Sequence, residues 1–159
     1  MELILKIMKK IIISILTIML TVLSSCSSSY FLKERETKFG TNTRFDFLVT
    51  KNDLKSFIEV KNVTLSRKKG IAEFPDAVTS RGLKHIKELI KANEKGYKIY
   101  ILYLIQRNDC KSFKIANDID PEYSDSLSKA VKKNLNVLCF DCKFSPKGIK
   151  LNQKVKFKI

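Results

Sequence analysis

Residues 44–65, RFDFLVTKNDLKSFIEVKNVTL, decide the fold that this sequence predicts. Apolar and polar residues alternate on both sides of a short polar turn, which is typical of a β-hairpin. If Thr50 pairs with Lys55 across that turn, Asp46 lies directly opposite Glu59. The hairpin therefore predicts two carboxylates side by side on one face of a sheet.

Lys61 lies two residues beyond Glu59 and so projects from the same face of its strand. The opposite face is then apolar, with Phe45, Phe47, Ile58 and Val60. A slip of one residue would move the charges into the core, so the pattern favours a single register. Asp46, Glu59 and Lys61 are thereby predicted to share one surface of the hairpin.

Two opposed carboxylates repel each other and destabilise a sheet unless a cation compensates them. Lys61 supplies part of that compensation. A divalent metal, Mg²⁺ or Mn²⁺, would supply the rest, because such cations take one or two carboxylates together with water and phosphate oxygens. Held by Asp46 and Glu59, the metal would polarise a phosphodiester, while Lys61 orients water or neutralises charge. The alternative, from spacing alone, is a structural salt bridge on a solvated sheet face.

The chain has 159 residues, which is the usual size of one domain. Its 31 Lys and Arg residues outnumber its 16 Asp and Glu residues, so the net charge is +15. A positive field of this size favours polyanionic partners, either nucleic acid or an anionic membrane surface. The alternative is that most of the lysines are simply solvated surface residues.

The first 26 residues differ in character from the rest of the chain. Three lysines, at positions 6, 9 and 10, precede an apolar run over 11–22, and LSSC follows at 23–26. This layout is typical of a secretory signal, and its end resembles a bacterial lipobox in which Cys26 would be lipidated. The run is short for a membrane-spanning helix, which needs ~20 apolar residues. Two interpretations stay open: a membrane-anchored lipoprotein, or a hydrophobic segment over 1–31 whose lipobox is accidental.

Four cysteines, at positions 26, 110, 139 and 142, do not make a disulfide framework in a chain of this length. Cys139 and Cys142 form a C-x-x-C pattern, but the segment around them predicts a strand. Positions i and i+3 of a strand point to opposite faces, so the two thiols do not converge on a metal. We expect ordinary buried thiols without disulfide partners.

The remaining segments predict a mixed α/β domain. Thr79 or Ser80 caps a helix that ends near residue 93, and Asp120 caps a second helix that has Pro121 at its first position. In the first helix, Arg81, Lys84, His85 and Lys87 are expected to stay polar beside an apolar stripe. Segment 32–40 predicts a short helical turn, and segment 66–78 predicts a loop. Strands are expected at 44–50, 56–64, 97–106, 136–144 and 150–158.

The spacing D-x12-E-V-K, from Asp46 to Lys61, resembles the core of the PD-(D/E)xK nucleases. Over 32–159 the chain is more specifically similar to the bacterial sugar fermentation stimulation protein A family. Six segments carry that similarity: LKERETKFG (32–40), TRFDF (43–47), FIEVKNVTL (57–65), FPDAVTSRGLKHIKEL (74–89), DIDPEYSDSL (118–127) and SPKGIKL (145–151). The resemblance implies a nuclease-like α/β domain over 32–159, with a mixed central sheet and flanking helices.

The resemblance also implies a function. Asp46, Glu59 and Lys61 match the nuclease triad, and Glu36 matches an upstream acid that would complete the metal site with Asp46 and Glu59. The expected activity is DNA binding with Mg²⁺- or Mn²⁺-dependent phosphodiester hydrolysis, without a small-molecule cofactor. The alternative is a catalytically silent DNA-binding regulator linked to sugar metabolism. Either role implies a cytoplasmic location, unless the lipobox is real and the protein is membrane-anchored.

The signature FPDAVT-RG-KH implies further site residues. Asp76 would line the pocket, and Arg81, Lys84 and His85 would be offered to phosphates, although His85 is equally interpreted as a capped or solvated helix residue. Members of the family carry an OB-like domain before the segment at Leu32, where this chain has the signal-like residues instead. OB folds bind single strands, so we expect weaker DNA affinity in its absence.

Overall fold

The computed structural model describes residues 31–146 and 148–158, and this part of the chain forms ten strands and two helices. The strands are β1 (Phe31–Phe39), β2 (Thr43–Lys51), β3 (Leu54–Val63), β4 (Leu65–Lys68), β5 (Ile71–Phe74), β6 (Lys98–Ile105), β7 (Ser112–Ile115), β8 (Asn136–Ser145), β9 (Gly148–Lys154) and β10 (Lys156–Lys158). The helices are α1 (Ser80–Glu94) and α2 (Pro121–Lys132).

The strands form two sheets. The larger sheet has six strands in the order β1-β2-β3-β6-β8-β9, and the smaller has four in the order β10-β7-β5-β4. In the larger sheet β3, β6 and β8 are parallel, while the outer pairs are antiparallel. Parallel neighbours need crossover connections, and α1 and α2 lie in these connections. The mixed central sheet with flanking helices is thus confirmed.

Both helices pack on one face of the larger sheet. Their apolar residues Ile86, Leu89, Tyr123 and Leu127 join sheet residues such as Phe57 in a single buried cluster, which we call the helix-side cluster. A second cluster on the opposite face consists of strand residues, among them Phe47, Ile58 and Leu102. The large sheet is therefore apolar on both faces, as expected for strands buried on both sides.

Each helix begins where its cap was predicted. The Thr79 side chain accepts a hydrogen bond from the Gly82 N–H at 3.0 Å. The Asp120 carboxylate accepts from the Tyr123 N–H at 3.0 Å and from the Thr79 N–H at 2.9 Å, so one buried acid caps α2 and fixes the start of α1. Neither of the two described helices is long and apolar enough to cross a bilayer.

The helical turn predicted over 32–40 is wrong, because this segment forms edge strand β1. Its only buried side chains among residues 32–39 are Thr37 and Phe39, and its charged residues are exposed. Charged residues are well suited to an edge strand, where they discourage further pairing. Pairing with β2, the next strand along the chain, overrides the local helical preference of this segment.

The loop predicted over 66–78 is also only partly correct. Gly70, with φ of 78°, turns the chain between β4 and β5, and β5 then pairs in parallel with β7, which the sequence pattern did not indicate. The last predicted strand divides in two: β9 belongs to the larger sheet and β10 to the smaller. Buried Val155 lies at the division, where its N–H donates to the Cys139 carbonyl at 2.9 Å.

The cysteines of the C-x-x-C pattern lie on β8 as predicted. Cys139 belongs to the helix-side cluster and Cys142 to the cluster on the opposite face. Both are buried free thiols. Burial raises the pKa of Cys139 to about 12 and that of Cys142 to about 11, so both thiols stay protonated at neutral pH.

Candidate functional site

The site lies where strands β2 and β3 separate. Thr50 pairs with Lys55 as predicted, and the same register continues to the pair of Phe47 with Ile58. Beyond that pair the ladder ends. The Asp46 carboxylate accepts a hydrogen bond from the Val60 N–H at 2.7 Å, in place of a backbone partner. The hairpin register is confirmed, and it brings Asp46 next to the segment that holds Glu59 and Lys61.

Glu59 lies at the centre of this cluster and is 3% exposed. Its Oε1 accepts a hydrogen bond from the Lys61 ammonium at 2.8 Å and also contacts Nδ1 of His85. Its Oε2 is buried and has no hydrogen-bond partner within the described residues. Buried polar atoms are normally paired, so one oxygen of this carboxylate is available to a further ligand.

The two carboxylates differ in acidity. Burial and the charge of Glu59 raise the pKa of Asp46 to about 6, despite the opposing hydrogen bond from Val60. Burial also disfavours the charged form of Glu59. However, its hydrogen bonds with His85 and Lys61 outweigh that effect and hold its pKa below the ordinary value. The site thus pairs a glutamate whose pKa is lowered with an aspartate whose pKa is raised to about 6.

The charged residues do not face solvent on an open sheet, as the sequence analysis allowed. They lie on the helix-covered face, because α1 places His85 against Glu59. Phe45 was predicted on the opposite face with Phe47, and that prediction is wrong. The alternation breaks at Asp46, and Phe45 joins the helix-side cluster with its ring centroid 6.3 Å from that of His85.

His85 is a buried member of the carboxylate cluster, and its interpretation as a solvated helix residue is wrong. Its spacing carries a signal that the sequence analysis missed. Gly82, His85, Ile86 and Leu89 all lie on the buried side of α1, at separations of three and four residues. The apolar stripe of α1 therefore includes His85.

Other predicted site residues lie farther from this cluster. Glu36 is level with Asp46 in the register, because its neighbours Arg35 and Thr37 pair with Phe47 and Phe45. However, Glu36 is exposed, and its φ is 48°. Among the described residues no three His, Cys, Asp or Glu side chains are arranged to hold one metal ion, so Glu36 is not gathered with Asp46 and Glu59 into such a group. Asp76 is exposed on the loop before α1. Cys26 lies outside the described residues.

A basic cavity of about 520 Å³ adjoins the carboxylate cluster. His85 lines it, together with the turn 41–43 and four cations: Lys38, Arg44, Arg81 and Lys84. Arg81 and Lys84 are residues that the sequence predicted for nucleic-acid binding. Lys38 and Arg44 were missed, although they flank the β1–β2 turn and so lie on either side of one short loop.

The fold and the cluster together define a class of protein. A mixed sheet in which an aspartate, a glutamate and a lysine meet where two strands part is a PD-(D/E)xK nuclease-like fold. The model of the sugar fermentation stimulation protein RE domain matches residues 6–148 of this chain. The chain belongs to the sugar fermentation stimulation protein family.

Similar proteins agree with this assignment. A sugar fermentation stimulation protein homolog of Pelagibacter ubique is 54% identical over 121 residues, which is 76% of this chain and 52% of the relative. The homolog of Bdellovibrio bacteriovorus is 48% identical over 122 residues, covering 76% of this chain and 50% of the relative. The chain therefore spans about half the length of the curated relatives it matches.

A solved structure, that of Pyrococcus furiosus SfsA in complex with Ca²⁺, has the same fold. It superimposes with a TM-score of 0.79 at 25% sequence identity, and the likeness covers 90% of this chain and 60% of that one. The Ca²⁺ belongs to that protein. The match of the family model begins at residue 6, so the matched range includes most of segment 1–31, whose interpretation stays a prediction.

Proposed function

We propose that this chain binds DNA and hydrolyses its phosphodiester bonds with the aid of a divalent metal ion. One observation carries the proposal: Glu59 is buried at the point where β2 and β3 part, and one of its oxygens has no partner among the described residues. Lys61 and His85 contact only Oε1, and a buried oxygen without a hydrogen-bond partner is costly unless a further ligand completes its environment.

The donor set fits a hard divalent cation. Asp46 and the free Oε2 of Glu59 would hold it, and two carboxylates suffice for Mg²⁺ or Mn²⁺, because water and phosphate oxygens fill the other positions. The raised pKa of Asp46 supports the same conclusion, since a nearby cation would favour its ionised form. The Ca²⁺ complex of the Pyrococcus relative supports a divalent-metal site in this fold.

A bound metal ion of this kind would polarise a phosphate oxygen and lower the pKa of a bound water. The residues of the chain supply the remaining functions. Lys61, 12% exposed in its side chain, places its ammonium beside Glu59, where it can neutralise charge that develops on the phosphate. His85 contacts Oε1 of Glu59, so the other oxygen, Oε2, points away from the imidazole ring. The Val60 N–H fixes the orientation of Asp46.

DNA as the substrate is supported by charge. The net charge of +15 and the basic cavity beside the cluster both favour a polyanion over a small neutral substrate. A catalytically silent DNA-binding protein is the second candidate. The contact that favours it is the ion pair of Lys61 with Glu59, which engages the ammonium within the protein.

Plasmid nicking tests the proposal. The full chain is incubated with supercoiled DNA and Mg²⁺ or Mn²⁺, with EDTA as the blank. We expect nicking by the wild type and its loss in Glu59→Gln, a substitution that keeps shape and removes charge. Glu73→Gln is the matched control, because Glu73 is equally buried at 1% exposure but lies in the smaller sheet.

The outcomes separate the two candidates. Nicking that Glu59→Gln retains would come from a contaminating nuclease and would reject the assigned site. DNA retention without nicking in any metal would establish the silent binder. Neither retention nor nicking at low salt would reject both functions.

The proposed role on DNA also implies a cytoplasmic location. The competing prediction, lipidation at Cys26, would place the domain away from chromosomal DNA. Mass spectrometry of the protein purified from its native cells decides between them. An unprocessed first segment supports the DNA role, and a chain that begins at a lipid-modified Cys26 would contradict it.

A further inference from the structure

Two cations face each other across the hairpin beside the site. Lys38 of β1 and Arg44 of β2 are direct partners in the antiparallel register, and both are exposed and line the basic cavity. Like charges directly opposed on a sheet destabilise it. Arg81 of α1 lines the same cavity, and within the described residues no carboxylate pairs with any of these three side chains.

We infer that Lys38, Arg44 and Arg81 form a phosphate clamp that holds the backbone of the DNA next to Asp46 and Glu59. The inference rests on the proposed function and deepens it by assigning the contacts that the substrate makes. A phosphate between the three cations offsets their mutual repulsion. The two guanidinium groups suit it because their planar forks bind phosphate oxygens in pairs.

The position of the clamp follows from His85. This residue lines the basic cavity and also contacts Oε1 of Glu59. The clamp and the carboxylates are therefore parts of one continuous surface. A phosphate held by the clamp fixes the position of the DNA backbone relative to these carboxylates.

A second cavity, of about 610 Å³, lies on the other side of the same turn and serves as an internal comparison. Most of its charged side chains already have partners. The Lys91 ammonium pairs with Glu88 at 2.7 Å, the Lys95 ammonium lies 5.1 Å from the centroid of the Phe39 ring, and Glu94 pairs with Lys133 at 3.0 Å. Phosphate binding there would have to displace these contacts, so the clamp is confined to the first cavity.

Lys84 lies between the two cavities and has a different role. Its ammonium donates to the carbonyl of Asn42 at 2.7 Å and so ties α1 to the β1–β2 turn. We assign Lys84 to positioning that turn, and with it Lys38 and Arg44, rather than to contact with phosphate.

Salt-dependent DNA binding by the full chain tests the clamp. Fluorescence anisotropy is measured with a 20-base-pair duplex in EDTA over a series of salt concentrations. Each lost phosphate contact lowers the slope of log affinity against log salt by about 0.9. The triple variant K38Q/R44Q/R81Q should therefore lose about 2.7 in slope. The control K91Q/K95Q/K133Q removes the same charge at the second cavity, from two lysines that line it and from the partner of Glu94, and should lose much less.

A second measurement separates binding from folding. If the repulsion between Lys38 and Arg44 is real, the single variant Lys38→Gln should bind DNA more weakly and yet melt at the same temperature as the wild type or higher. A lower melting temperature would show that Lys38 stabilises the fold, and would overturn the argument from opposed charges.

The outcomes distinguish the clamp from the proposed function. A wild type that binds DNA, with equal slopes for the two triple variants, would overturn the clamp and leave the function standing. A wild type that does not bind DNA even at low salt would overturn both.

Discussion

Two buried glutamates of this protein have opposite surroundings. Glu73 of β5 is 1% exposed, and both of its oxygens are paired. Its Oε1 accepts from Arg67 at 2.9 Å and from Lys114 at 3.1 Å, and its Oε2 accepts from the Arg67 side chain at 3.0 Å. Glu59 of β3 is 3% exposed, but within the described residues its hydrogen-bond partners all contact one oxygen.

The difference separates a structural charge from a functional one. Hydrogen bonds from Arg67 lower the pKa of Glu73 to about 2, and Arg67 also pairs with the exposed Asp118. Glu59 instead lies beside a second carboxylate, Asp46, whose pKa is raised to about 6. A cluster that serves only the fold satisfies its charges, whereas a binding site keeps some unsatisfied for its ligand.

The largest effect is expected on metal binding. Glu59→Gln should weaken Ca²⁺ or Mn²⁺ binding by at least about 10–100-fold, which is the range that loss of an outer-shell partner of a metal ligand alone produces. Glu73→Gln should leave the affinity unchanged. Isothermal titration calorimetry on the full chain measures both. Equal losses in the two variants would mean that the substitutions act through the fold, and would remove the distinction between the clusters.

Asp46→Asn should stabilise the metal-free protein. The folded pKa of Asp46 lies above its ordinary 3.8, so the folded state binds this proton more tightly than the unfolded state does. The contribution is fully present below pH 3.8 and is lost as the pH rises to about 6. At pH 8 in EDTA, the variant should gain about 2–3 kcal/mol of unfolding free energy.

Urea unfolding of wild type and Asp46→Asn at pH 4 and pH 8 measures that gain. The difference between the two proteins should be small at the lower pH and large at the higher one. The variant should also lose the stabilisation that Mn²⁺ gives to the wild type. A variant that is less stable at pH 8 would show that the ionised Asp46 supports the fold through Val60.

Much of the fold and the centre of the site could be predicted because they depend on local patterns. The register that joins Thr50 to Lys55 follows from the alternation of residues in one hairpin, and both helix caps follow from single residues. Thr79 and Asp120 satisfy N–H groups within a few residues of themselves, so sequence spacing is sufficient to find them.

The rest depends on contacts between distant segments. Whether segment 32–40 becomes a strand is decided by pairing with β2, and β7 is a strand only because β5 and β10 lie beside it. The departure of Phe45 from its predicted face requires knowledge of where α1 lies. Arg67 and Asp118 are 51 residues apart in the sequence, so no local pattern predicts the ion pairs around Glu73.

The stability of the Glu73 cluster should depend on pH in the opposite sense from that of Asp46. The folded pKa of Glu73, about 2, lies below its ordinary 4.5. Its contribution is therefore fully present above pH 4.5 and is lost as the pH falls towards 2. Glu73→Gln should lose about 2 kcal/mol at pH 7, a value reduced from the usual cost of breaking a buried pair because Arg67 is 38% exposed.

The check is the difference in unfolding free energy between wild type and Glu73→Gln at pH 7 and pH 2.5. It should shrink at the lower pH, where the wild-type carboxylate begins to take up a proton. A difference that stays constant would assign the loss to packing rather than to the charge of Glu73.

The smallest effect is expected from Lys114→Met. Its ammonium pairs with Glu73 at 3.1 Å, but Arg67 still contacts both oxygens of that carboxylate when Lys114 is removed. The loss should therefore stay below about 1 kcal/mol. Lys61→Met is the counterpart at Glu59, where His85 still contacts Oε1. If Lys61 serves the reaction, this variant should abolish nicking while its melting temperature falls little. A large fall in melting temperature with nicking retained would make Lys61 the equivalent of Lys114 and the cluster at Glu59 a structural one.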